Sequence, residues 1–193
     1  MAADERAPVR MGASDALALL CAREGAVDEL IARADGWLDD PLRELGYGAV
    51  ATVLEVLSAS QLIASAREHD ALHSFLSRVM DTMADAPRSA SRSDGRKRVL
   101  RSLPNMLANL IAASRAAQGS AQWFTQECER MRDPELRAVL SQALQRMGDL
   151  RNAPARAQID ELRAALSGSQ KPLRDPTRVR PGSGRGRRSR PLR

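Results

Sequence analysis

The stretch LHSFLSRVMDTM, residues 72–83, decides the fold class. Its large apolar side chains, Leu72, Phe75, Leu76, Val79, Met80 and Met83, fall at i, i+3, i+4, i+7, i+8 and i+11. A helix of 3.6 residues per turn gathers all six on one stripe, whereas a strand scatters them over both faces. Such a stripe has to be buried against other elements. The segment 61–86 is therefore read as one or two helices inside a larger helical core.

The same periodicity extends in both directions. Upstream, AVATVLEVL (49–57) is apolar except for Thr52 and Glu55, which places it in the centre of the core. Gly46 and Gly48 weaken the start of that helix, and Asp40-Pro41 supplies a cap and a proline at the first helical position. Earlier still, Val27, Leu30, Ile31, Ala34 and Leu38 share one face. Ser14 is the expected N-cap of a first short helix through Leu17, Leu20 and Cys21, stopping at Gly25.

Downstream, PRSASRSDG (87–95) reads as a polar loop. Val99, Leu100, Leu103, Met106, Leu107, Leu110 and Ile111 then form a stripe, with Pro104 marking a kink or a fresh start and Gly119 an end. Ser120 opens a helix bearing Trp123, Phe124, Cys128 and Met131, and Asp133-Pro134 caps another carrying Leu136, Val139, Leu140, Leu144 and Met147. Pro154 opens the last, through Ile159, Leu162 and Leu166, and Gly168 stops it. The expectation is an all-α fold: a flexible N-terminus (1–13), a compact domain of about seven to nine short helices (14–167), and a disordered Arg-rich C-terminal tail (168–193).

Composition agrees. The 193 residues suit one domain with a tail, and 43% apolar content supports a core. Aromatic content of 3% argues against a sheet-rich fold. No apolar run is long enough to span a bilayer, and the start MAADERAPVR lacks the apolar core of a secretory signal. A cytoplasmic location is expected, or a nuclear one in a eukaryotic or viral setting.

Charge is distributed unevenly. Residues 171–193 carry nine cations against Asp175 alone, a net +8, and residues 88–101 carry six against Asp94, a net +5. Residues 1–87 hold seven arginines and fifteen acids, a net −8. Arginine outnumbers lysine, present only as Lys97 and Lys171. GC-rich coding explains that ratio, but it does not explain the clustering.

A mobile run of guanidinium groups suits a polyanion, because neutralising phosphates releases condensed counterions. The candidate nucleic-acid-binding residues are Arg178, Arg180, Arg185, Arg187, Arg188, Arg190 and Arg193 in the tail, and Lys97, Arg98 and Arg101 on the helix carrying Val99. No aromatic residue interleaves with them, so binding would be electrostatic and weakly sequence-selective, to DNA or RNA alike. Ser183 and Ser189 lie among the tail arginines, where phosphorylation weakens such binding. The competing account of 96–101 is a solvated helix face that pairs with the acidic first half.

Other chemistry is sparse. His69 and His73, in HDALH, share a helix face as half a zinc site, but Asp70 replaces the glutamate of a metalloprotease HExxH. His69-Asp70 also resembles the dipeptide of HD-type phosphohydrolases, whose further ligands two histidines are too few to supply. Cys21 and Cys128 stand alone and are expected to be reduced core residues. No phosphate-binding loop is present, and PGSGRG in the tail is low-complexity glycine. No metal, cofactor or catalytic set is expected.

The layout resembles that of viral nucleocapsid proteins such as hepadnaviral cores, a helical assembly domain followed by an arginine-rich end. The resemblance is one of plan, with no shared motif. It implies a non-enzymatic nucleic-acid-binding or packaging protein whose core self-associates or docks a partner. The alternative is a cytoplasmic protein–protein interaction or regulatory module with an incidental basic tail.

Overall fold

The computed structural model describes residues 7–21, 23, 25–39, 43–59, 62–63, 69–113, 117–150 and 153–168. Among them are eight α-helices: α1 (Ala7–Leu20), α2 (Ala26–Gly36), α3 (Arg43–Leu57), α4 (His69–Ala84), α5 (Asp94–Ala112), α6 (Ala117–Arg130), α7 (Pro134–Asp149) and α8 (Arg156–Gly168). Short 3₁₀ segments follow α2 at Trp37–Asp39 and precede α5 at Arg88–Arg92. The Asp40-Pro41 cap and the seven tail arginines lie outside the described residues.

The stripe on α4 behaves as its spacing dictates: Leu72, Phe75, Leu76, Val79, Met80 and Met83 are all at most 1% exposed. The apolar run in α3 is equally central, with Val50, Ala51, Thr52, Val53 and Leu54 at 0%. Burying a side chain such as Leu54 or Phe75 contributes about 1.5–3 kcal/mol, so these two helices anchor the core. Helix α5 packs along α3 on one side and α7 on the other, the two most extensive helix contacts in the fold. Thr52 satisfies its hydroxyl within the helix by donating to the Gly48 carbonyl at 3.1 Å.

Several boundaries differ from expectation. Helix α1 starts at Ala7, so residues 7–13 are helical and Ser14 lies inside the helix instead of capping it. Pro8 is tolerated there because a first-turn residue needs no donor N–H. Pro104 neither ends nor restarts α5, which runs unbroken from Asp94 to Ala112. Gly119 falls in the first turn of α6, which begins at Ala117. The polar stretch before α5 is partly ordered as 3₁₀, and Ser93 caps α5 by accepting from the Arg96 N–H. The Asp133-Pro134 device holds: the Asp133 carboxylate accepts from Glu135 N–H at 3.0 Å and Leu136 N–H at 2.9 Å.

Two glycines answer to geometry. Gly25, with φ 77°, turns the chain into α2 in a conformation that L side chains rarely adopt. Gly46 lies where α3 passes the 3₁₀ turn, and a Cβ there would sit 2.7 Å from the Trp37 carbonyl oxygen. The sequence marks Gly46 as a weak helix start, whereas the structure makes it the condition for close packing. Gly46→Ala is therefore expected to lower stability by about 1–3 kcal/mol in urea titration, despite alanine's better helix propensity. Gly12→Ala in α1, which meets nothing within 4 Å, should raise stability by up to about 1 kcal/mol.

Candidate functional site

Three features of the described residues carry chemistry: the basic start of α5, a polar seam between α4 and α6, and the outer face of α1.

The four cations in the first two turns of α5 have different fates. Arg96 points inward, its side chain 9% exposed, and its Nη2 donates to Glu135 Oε2 on α7 at 2.7 Å and to the Met83 carbonyl closing α4 at 3.3 Å. Arg98 turns towards α3, where Nη2 donates to Glu55 Oε2 at 2.8 Å and Thr52 Oγ1 at 3.2 Å. Lys97 is exposed and pairs one turn back with Asp94 at 3.3 Å. Arg101 is exposed and has no partner among the described residues. Of the three candidate cations here, Lys97 and Arg101 share an outer face. Arg98 does not project with them, because α3 packs over that side and supplies its counter-charge.

The second feature was not anticipated. On α4, His73, Ser77 and Asp81 recur every four residues and face Ser120, Trp123, Glu127 and Arg130 of α6. His73 Nε2 lies 2.9 Å from Ser120 Oγ, and its ring stacks on Trp123 with centroids 4.9 Å apart and planes 9° from parallel. Trp123 Nε1 donates to Ser77 Oγ at 2.9 Å, and Ser77 in turn donates to Glu127 Oε1 at 2.7 Å. Arg130 Nε donates to Glu127 Oε2 at 2.7 Å, and its Nη1 reaches Asp81 Oδ1 at 2.6 Å.

The bonds from Trp123 through Ser77, Glu127 and Arg130 to Asp81 form one continuous chain, in which each donor polarises the next, and the His73–Ser120 pair joins it by stacking on Trp123. Glu127, at 4% exposure, is acceptable as a buried charge because Arg130 and Ser77 both bond to it. Burial works against the Arg130 charge, but the Asp81 and Glu127 carboxylates outweigh it and hold the guanidinium above its usual range. His73 is moved the other way: burial lowers its pKa, Asp70 opposes that, and His69 adds to it.

Ser120, His73 and Asp70 are the residue types of a hydrolytic relay. Here Ser120 is fully buried and the Asp70 carboxylate is 3.7 Å from His73 Nδ1, so the hydroxyl faces protein in this conformation. The half zinc site of His69 and His73 is not completed: His73 Nε2 is taken by Ser120, and the described residues contain no group of three metal-ligating side chains. Cys21 and Cys128 are buried and unpaired; burial, helped by Glu127, pushes the Cys128 thiol up to about 12.

A cleft of about 430 Å³ lies beside α7 and the end of α8, lined by Arg132, Pro134, Arg137, Ala138, Ser141 and Leu166 with Ser167. Arg137 spans it structurally, donating to the Met131 carbonyl at 3.2 Å and to that of Leu166.

The third feature is apolar. Among the described residues the large hydrophobic side chains left in water are Met11 (68%), Leu19 (77%) and Leu20 (54%), all on α1. That helix packs on α3, with Leu17 against the core. No described helix is long and apolar enough to cross a membrane. Compared with known proteins, the chain matches no family model, no curated protein and no solved structure.

The two kinds of α5 cation separate by mutation. Glu135→Ala strands the buried Arg96 guanidinium and should cost about 2–4 kcal/mol in chemical denaturation, whereas Arg101→Ala should stay within about 0.5 kcal/mol of wild type. The Cys128 thiol should resist a maleimide in the native protein at pH 8 and react once it is unfolded, since the thiolate is the reactive form.

Proposed function

We propose that this chain is a non-enzymatic helical interaction module that docks another protein through α1. One observation carries the reading: among the described residues, the large apolar side chains that remain exposed all lie on this single helix. Isolated exposed leucines are ordinary, but three large apolar side chains in water on one short helix are not, and exposed apolar surface marks contact sites. Met11 and Leu19 lie about 80° apart around the helix and about 12 Å along it, and Leu20, about 100° further round, extends the apolar surface towards the side opposite Met11.

Residues 11–20 carry one charge, Asp15. The occupant fitted to this face is therefore an apolar helical stripe of a partner protein, not a polyanion. A second copy of this chain is the simplest such partner to test. Arg78 is paired with Asp35 and Asp39, so the charge at the end of α2 faces α4.

A second reading, binding of nucleic acid, is supported by the exposed pair Lys97 and Arg101 and by the +8 composition of 171–193. If about six to nine phosphates were engaged, the affinity would fall with a log–log salt slope of roughly −4 to −8.

One comparison separates the readings. Leu19→Asp combined with Leu20→Asp should weaken partner or self-association by about 30-fold or more while costing the fold only about 1–2 kcal/mol, because Leu19 is largely in water, Leu20 is half so, and both acids stand at a helix C-terminus. Deletion of 171–193 should leave that association intact. Association that survives the double substitution and disappears with the tail would overturn the α1 reading in favour of the polyanion one.

A further inference from the structure

His73 occupies a place where positive charge is disfavoured from several directions. It lies in the second turn of α4, which begins at His69, and its Nε2 meets Ser120 in the opening turns of α6. Both helix ends are N-termini, whose unpaired N–H groups and dipoles repel a cation. The residue is 7% exposed and its ring is covered on one face by the Trp123 indole. The titratable groups facing it are Asp70 and His69 of its own helix. From α6 it meets Ser120 and Trp123, neither of which carries charge near neutrality. Among the described residues Asp70 is the counter-charge, and it is fully solvated and 3.7 Å away, beyond hydrogen-bond distance.

We propose that His73 is a proton-sensitive latch: its neutral ring holds the first turns of α6 against α4, and protonation from solvent releases them. In the closed form the Ser120 hydroxyl donates to Nε2, and the ring proton sits on Nδ1, towards Asp70. On protonation both ring nitrogens become donors. The Ser120 hydroxyl must then turn to accept, and an added charge is shut off from water near two helix N-termini, which outweighs its attraction to the indole face.

The released segment is bounded. Beyond Trp123, α6 is fixed by Phe124 and Cys128, both at 0% exposure, and by the Glu127, Arg130 and Asp81 bonds. Opening is therefore confined to 117–123 and brings Trp123 into water.

The direction with pH follows from linkage. A histidine whose folded pKa lies below the free value of 6.5 takes up its proton more readily in the open form. Closure is fully favoured above that value and weakens as pH falls towards the folded pKa, by up to about tenfold in population per pH unit.

Hydrogen exchange of the full chain between pH 7.5 and 5.0, corrected for the intrinsic pH dependence of amide exchange, tests this. Amides of 121–127, whose helical partners are the carbonyls of 117–123, should lose protection below about pH 6.5, while those of 128–130 keep theirs. His73→Gln, whose side-chain amide still bonds Ser120 but does not titrate, should abolish the response. Protection that is unchanged with pH, a response that persists in His73→Gln, or one that vanishes instead in His69→Gln would overturn the proposal. Should His73→Gln fail to fold, the ring titration of wild-type His73 by NMR decides. Titration below free histidine sustains the latch, and titration at or above it refutes the latch.

Discussion

Helix α5 is enclosed by α3 and α7, and the rest of the fold answers to that enclosure. Four cations enter within its first two turns, two on the exposed side and two drawn towards neighbouring helices. Arg96 is received by Glu135 of α7 and the last carbonyls of α4, and Arg98 by Glu55 and Thr52 of α3. Pairs of this kind add little net stability, since desolvating each ion offsets most of the attraction. Their effect is on arrangement: a guanidinium buried beside the wrong neighbour is so unfavourable that it fixes which helices lie next to α5. The apolar stripes then fill the space between them.

The α4 stripe shows how much of this was legible. Six large apolar residues at helical spacing have one satisfactory destination, and they reach it. The polar residues of the same helix were legible only as polar. His73, Ser77 and Asp81 recur every four residues, as they would on a solvated face, and nothing local distinguishes that face from one covered by Ser120, Trp123, Glu127 and Arg130. The distinguishing sign was the company of Trp123 and Glu127 at the same spacing on a later helix. That relation emerges only once the two helices are known to be neighbours.

The basic segment divides for a related reason. Composition counts charges but does not assign partners: of Lys97, Arg98 and Arg101, Arg98 is drawn to Glu55 of α3, as pairing with the acidic first half expects, while Lys97 and Arg101 stay exposed. Gly46 shows the converse: a residue that looks like a local weakness is required by the Trp37 carbonyl against it. Propensity describes the isolated helix, and close approach by another element overrides it.

A division of labour follows. Charge within the domain is largely spent on holding helices together, along α5 and again along the α4–α6 seam. Facing outward are the exposed apolar side chains of α1 and, on α5, the cations Lys97 and Arg101. The proposed role as an interaction module rests on the exposed apolar side chains of α1, while Ser120 and His73 are buried against each other.

The claim that α5's charges are internal fasteners is tested most directly by a double-mutant cycle on Arg96→Met and Glu135→Gln, read by urea unfolding. Coupling of about 1.5 kcal/mol or more is expected for a charged pair in this setting. Coupling indistinguishable from zero would mean that Arg96 gains nothing from Glu135, and the account of α5 as a helix bound by its own cations would fail.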